Sequence, residues 1–127
     1  MNSKTVSRIG ILGVLLFAAS SILGGYSIEG YDSLRQLISE TYAIGTTYGI
    51  YLRMFGIIPS GVLFTLFLFY AKKHFPKHQF ITIGFYGLVF FYGLSTIIVG
   101  IFPCDYGCNP GFTTPSTAQI IHNLFGF

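Results

Sequence analysis

Residues 80–102, FITIGFYGLVFFYGLSTIIVGIF, form twenty-three consecutive positions without a charge, and they run straight into Pro103-Cys104-Asp105-Tyr106-Gly107-Cys108. A helix rises about 1.5 Å per residue, so this run would be roughly 35 Å long, enough to cross the ~30 Å hydrocarbon core of a bilayer with some tilt. A water-soluble core rarely needs so long an unbroken apolar run. The sequence therefore predicts a membrane-spanning helix, one that delivers the most polar cluster of the chain to one membrane face.

Composition supports the same environment. Only 9% of the 127 residues are charged and 52% are hydrophobic, whereas an average soluble domain carries about 25% charged residues. So few charges cannot cover the surface of a soluble fold. The sixteen glycines suit tightly packed membrane helices. A scattered net charge of +3 gives no reason to expect a nucleic-acid partner. Sequence motifs for nucleotides, haem and flavin are lacking, and no cofactor is expected. Membrane lipids and other membrane helices are the expected partners.

Two further spans are legible. Lys4 and Arg8 precede an apolar run over about 9–26, interrupted only by Ser20 and Ser21. A secretory signal cut near Ala19-Ser20-Ser21 is the alternative, but about eighteen apolar residues exceed the usual length of such a signal core and suit a retained span. Ser20 with Gly24, and Ser21 with Gly25, place small residues one turn apart, where a second helix can approach. The next span covers about 48–71, with Tyr48, Tyr51 and Tyr70 near its ends, where amphipathic rings suit the headgroup boundary. Arg53 is expected to snorkel or to pair with a loop acid, and Pro59 to bend the helix. Tyr86, Tyr92, Ser95 and Thr96 put polar atoms inside the 80–102 span, and interhelical hydrogen bonds are their simplest use.

Between the first two spans lies SIEGYDSLRQLISETYAIGTT, residues 27–47. Asp32 or Ser33 can cap a helix there, with Leu34, Leu37, Ile38 and Tyr42 on one face and Gly45 as its stop. That pattern predicts a short amphipathic helix lying on the membrane surface, with a solvated loop carrying one helical turn as the alternative. The connection Lys72-Lys73-His74-Phe75-Pro76-Lys77-His78 is a basic turn whose histidines need no role beyond solvent or headgroups. Asn109-Pro110-Gly111 is a turn. Ser116 then caps a helix over 117–127 with Gln119 three residues on. Eleven residues reach only ~16 Å, so this helix reads as the start of a fourth span whose burial calls for lipid, a second copy or the remainder of a longer chain.

The expected architecture is all-α: one polytopic membrane domain over 1–127, with three full spans, a partial fourth and an interfacial helix between the first two. With a cytoplasmic N-terminus, Lys4, Arg8, Lys72, Lys73 and Lys77 lie inside and only Arg35 and Arg53 outside, as the positive-inside rule requires of a cell-membrane protein. The four acids (Glu29, Asp32, Glu40 and Asp105) then all face outward. No span contains an acid, which argues against a proton-driven transporter.

Two stretches resemble a known family. Tyr31-Asp32-Ser33-Leu34-Arg35-Gln36-Leu37-Ile38-Ser39-Glu40 resembles an S-P-L-x-Q-x-I-S-E-L-type loop, and Phe102-Pro103-Cys104-Asp105-Tyr106-Gly107-Cys108 with His122 downstream resembles an F-P-C-D-x-G-C segment. Both belong to a family of prokaryotic multi-pass membrane proteins, the domain of unknown function numbered nine-nine-eight. Its members typically have about six spans, so the resemblance implies that this chain corresponds to an N-terminal half. It implies no established activity.

Three chemistries are open to the outer cluster. Cys104 and Cys108 can close a small disulfide loop in an oxidising compartment. Alternatively, Cys104, Asp105, Cys108 and His122 offer a ligand set that zinc accepts. Thirdly, Asp105 and His122, with Asp32, Glu40 or Ser116, can serve acid–base work on a lipid or envelope substrate, although no G-x-S-x-G nucleophile motif is present. A non-enzymatic membrane module that binds lipid or a partner at its outer face is the expected function, with an envelope or lipid hydrolase, or a metal-dependent enzyme, as the alternative.

Overall fold

A computed structural model describes residues 1–126. Its regular secondary structure is all helical among those residues, with α1 at Ser3–Tyr26, α2 at Gly49–His74, α3 at Gln79–Ile101 and α4 at Thr117–Gly126. The first three are long and apolar enough to cross a membrane. The last position of the expected 117–127 helix lies outside the described residues. Much of the apolar surface of α1, α2 and α3 has no protein against it: Leu23 is 63% exposed, Phe55 73% and Phe91 74%. Such side chains are stable only in an apolar surrounding.

The three long helices run antiparallel, with α2 in the middle. Small residues on α1 let α2 come close, since a Cβ at Gly10 would meet the Phe67 ring at 2.7 Å and one at Gly56 would collide with Ser20. Gly24 sits equally tightly against Thr41 and Leu52. The Ser20/Gly24 face is therefore a contact face. On the other side of α2, Gly61 and Gly93 bring α2 and α3 to backbone distance. A Cβ on Gly61 would lie 2.9 Å from the Ile97 nitrogen, and one on Gly93 would lie 3.0 Å from the Thr65 Cα.

Two π-turns interrupt the long helices, at Arg53–Ile57 in α2 and Val89–Leu94 in α3. The first lies just ahead of Pro59, whose ring would clash with the preceding turn and whose nitrogen cannot donate. A wider turn makes room for that ring and keeps the helix continuous. The second widens α3 at Gly93, opposite Thr65. The hydroxyls in the spans are used differently from expectation. Ser95 donates to the Phe90 carbonyl (3.1 Å) and Thr96 to that of Tyr92 (2.6 Å), each within its own helix rather than across to a neighbour. Such back-bonding satisfies a hydroxyl where water is absent.

The amphipathic helix expected after α1 is present only as a 3-10 helix, Ile38–Tyr42. Its neighbours explain the shortening. Asp32 accepts from the Leu34 N–H (2.9 Å), Gln36 accepts from the Asp32 N–H (2.8 Å), and Glu40 accepts from the Leu37 N–H (3.0 Å). Side chains that bind nearby N–H groups compete with helical bonding. Of the predicted apolar face, Tyr42 is buried while Leu34 is 94% exposed.

Gly61→Ala is expected to cost about 1–3 kcal/mol, because the atoms its Cβ meets are mostly backbone and cannot move aside. Gly84→Ala, with nothing within 4 Å, should be neutral or stabilise by up to about 1 kcal/mol through helix propensity. Reversible unfolding of both variants in micelles checks this; equal effects would contradict the close α2–α3 approach.

Candidate functional site

The polar end of the molecule is built from two loops that meet. The first carries the 38–42 helix; the second connects α3 to α4. A backbone bond joins them, the Ile44 N–H to the Cys104 carbonyl at 2.8 Å. Ala43, Cys104 and Cys108 form the buried centre of the contact. Cys104 and Cys108 are bonded to each other, with sulfurs 1.99 Å apart. The Ser39 hydroxyl donates to the Cys108 sulfur at 3.2 Å, and the Cys104 sulfur touches the Ser39 carbonyl at 3.6 Å.

Local sequence permits this tight turn. Gly107 has φ +62° and Asn109 +42°, the left-handed region that suits glycine and tolerates asparagine. The Cys108 N–H closes back on the Asp105 carbonyl at 2.8 Å. Asn109 then holds the rest of the loop, accepting from the Thr113 N–H (3.1 Å) and donating to the Thr113 carbonyl (3.0 Å).

Asp105 and Gln119 lock α3 to α4. Gln119 is fully buried; its amide oxygen accepts from the Asp105 N–H at 2.7 Å and its amide nitrogen donates to Asn123 at 2.7 Å. The Asp105 carboxylate accepts from the Ser116 N–H at 3.0 Å, and Ser116 in turn caps α4 by accepting from the Gln119 N–H at 3.0 Å. The expected cap is therefore present, but the glutamine side chain reaches across to the preceding loop. Its equivalence to a capping-box residue in sequence hides that role. The Ser116 backbone and hydroxyl donors, with the Asn109 side chain, hold the Asp105 carboxyl below the usual aspartate range.

His122 is buried one turn further along α4. Its Nδ1 lies 2.9 Å from the Phe102 carbonyl, the one freed where α3 ends, and its ring lies 6.3 Å from that of Tyr42. Burial pushes the Tyr42 phenol up to about 12, so it stays neutral. Sequence reasoning finds His122 but not this partner, because a backbone acceptor leaves no trace in side-chain identity.

The other acid–base candidates stand apart. Asp32 pairs with Arg35 at 3.5 Å, and Glu40 accepts from Gln36 at 2.9 Å as well as from the Leu37 N–H. Among the described residues no hydrogen bond joins any two of Asp32, Glu40, Asp105 and His122. The metal constellation gathers in part: ligand atoms of Cys104, Cys108 and His122 lie within 4.8 Å of one another, without Asp105. A bonded pair of sulfurs presents no thiolate to a metal.

Open space at this end lies around Glu40. One cleft of about 380 Å³ is edged by Glu29, Gln36, Glu40, Thr46 and Tyr106. Another, of about 670 Å³, is edged by Leu37, Glu40, Cys108, Asn109, Phe112 and Asn123. Neither is lined by Asp105 or His122.

The lowered Asp105 carboxyl fixes the sign of a pH effect. Its contribution to stability is present above the ordinary aspartate value of 3.8 and is lost as pH falls through the lowered folded value. The Ser116 amide resonance should therefore titrate with a midpoint below 3.8, and the transition should vanish in Asp105→Asn. A midpoint at or above 3.8 would contradict the Asp105–Ser116 bond.

Residues 11–127 match the family described as "Protein of unknown function (DUF998)". No curated protein and no solved structure matches the chain. The match covers nearly all of the sequence, both resembling stretches included. The chain belongs to this family of proteins of unknown function.

Proposed function

We propose that this chain is an integral membrane protein with a cytoplasmic N-terminus, and that it works as a non-enzymatic module binding at its outer face. One observation carries the reading. The groups best suited to acid–base chemistry, Asp105 and His122, are each spent on a backbone partner, Ser116 N–H and Phe102 carbonyl. A general acid or base needs its reactive atom within about 3 Å of a substrate proton, directly or through one water. By contrast, Glu29 edges an open cleft beside the disulfide loop, together with Glu40, which is held by Gln36 and the Leu37 N–H. An acid-edged cleft at a membrane surface suits a cationic group, such as the amine of a lipid headgroup.

Charge distribution supports the orientation. The helices alternate in direction, so Lys4, Arg8 and the 72–78 turn share one end, and Glu29, Asp32, Glu40 and Asp105 share the other. The basic end belongs in the cytoplasm.

Asp105→Asn separates this reading from a hydrolase, because asparagine keeps an oxygen for the Ser116 N–H and loses the acid. In cells lacking the chain, wild type and Asp105→Asn are expected to restore the membrane lipid profile equally. A folded, membrane-inserted Asp105→Asn protein that fails to restore a lipid change corrected by wild type would favour the hydrolase.

A further inference from the structure

The turn between α2 and α3 plays no part in the outer loops, and its charge is unbalanced. Lys72, Lys73, Lys77, His74 and His78 fall within seven residues. All but His74 border a cleft of about 530 Å³ whose polar lining is Lys72, Lys73, Lys77, His78, Gln79 and Thr82, without an acid. The cleft opens at the amino end of α3, a helix of 23 residues. First-turn N–H groups there have no intrahelical acceptor; one of them, the Phe80 N–H, donates to His78 Nδ1 at 3.4 Å, and the helix dipole adds positive potential. Helices usually place acids at such an end; α3 has none in its first turn. Instead Lys77 and His78 immediately precede it.

Among the described residues no acid neutralises this end. The four acids lie at the far ends of helices that are roughly 35 Å long, beyond the ~10 Å over which charges interact at ordinary salt. Among the described residues the sole ion pair is Asp32–Arg35, also at the far end. Two of the three lysines are nonetheless held. Lys72 Nζ lies 4.1 Å over the Tyr86 ring, and Lys73 Nζ lies 5.1 Å over that of Tyr70. Phe75 packs on Phe85 at 5.0 Å, which fixes the turn against α3. A held cluster of like charge at a helix amino end is a conflict that an anion resolves.

We propose that this turn binds the phosphate of an anionic membrane lipid, held by Lys72, Lys73 and Lys77 over the first turn of α3. A lipid is preferred to a soluble phosphate by the flanking surface: Phe75 is 52% exposed and Phe80 70%, so apolar rings stand beside the lysines at the end of span-length helices. Phosphate meets the cations and helix N–H groups, while acyl chains meet the rings. The inference rests on the membrane-spanning reading of α1–α3 and not on which way the chain is inserted.

The test uses the whole chain in phosphatidylcholine nanodiscs, which expose both faces and so keep a wrong orientation from mimicking a missing site. Dihexanoyl phosphatidylglycerol is titrated while the backbone amides of residues 78–82 are followed by NMR. Saturable shifts are expected there, and none with dihexanoyl phosphatidylcholine. Replacing Lys72, Lys73 and Lys77 together by Gln should weaken binding about five-fold per lysine, on the order of a hundred-fold in all. Lys4→Gln with Arg8→Gln, which removes charge from the same end outside the cleft, should change it far less. Should the triple variant fail to fold, Gln79→Glu retains every lysine, favours the helix and should still weaken binding several-fold. Equal losses in the two sets of charge variants would replace the site with diffuse surface attraction. Inorganic phosphate binding as well as the lipid would overturn the lipid as occupant, and absence of saturable shifts would overturn the site.

Discussion

A buried glutamine holds the polar end of this protein together. Gln119 has no exposed surface, yet its amide makes two hydrogen bonds, accepting from the Asp105 N–H and donating to Asn123. A buried amide without partners costs about 1–3 kcal/mol, so the loop after α3 and the start of α4 have to be placed together. Asp105 returns the tie through the Ser116 N–H, and His122 closes the next turn on the Phe102 carbonyl. The disulfide loop lies between these bonds and the Ser39 turn, so the loop after α1 is anchored to the loop after α3. Without Gln119, α4 would keep its cap but lose its register against α3.

Below this polar end, the packing follows a different rule. The span-length helices approach one another where small residues let backbones come close. Gly24, Gly56, Gly61 and Gly93 supply those approaches. Where bulk intervenes, α1 and α3 splay apart around α2. An apolar cleft of about 670 Å³ remains there, lined by Gly10, Val14, Phe64, Phe67 and Tyr92 among others. Ser20, Ser21, Ser60, Thr65, Ser95 and Thr96 each donate to a carbonyl of their own helix rather than to a neighbouring one.

Much of this was legible in the sequence, for physical reasons that also mark where legibility stops. The 80–102 run and its two counterparts follow from hydrophobic length, and Ser20 and Gly24 mark a contact face because small size is visible in a letter. Ser116 as a cap and the proximity of Cys104 to Cys108 follow from local spacing. The 33–42 stretch misleads, because its 3.6-residue apolar pattern competes with Asp32, Gln36 and Glu40 side chains that capture the backbone. The π-turns are hidden for a similar reason, since a helix with one extra residue per turn keeps the same composition. Asp105 and His122 are singled out by residue type, but their partners are backbone groups, which any residue supplies. Gln119 carries more of the site than either and reads in sequence as half of a capping box.

The most direct measurement is the stability of Gln119→Leu by reversible unfolding in micelles. Leucine is close in size and more apolar, so burial alone would favour it. The account predicts a loss of about 1–3 kcal/mol, because the Asp105 N–H is left without an acceptor. Unchanged or increased stability would contradict the claim that this bond holds the polar end in place.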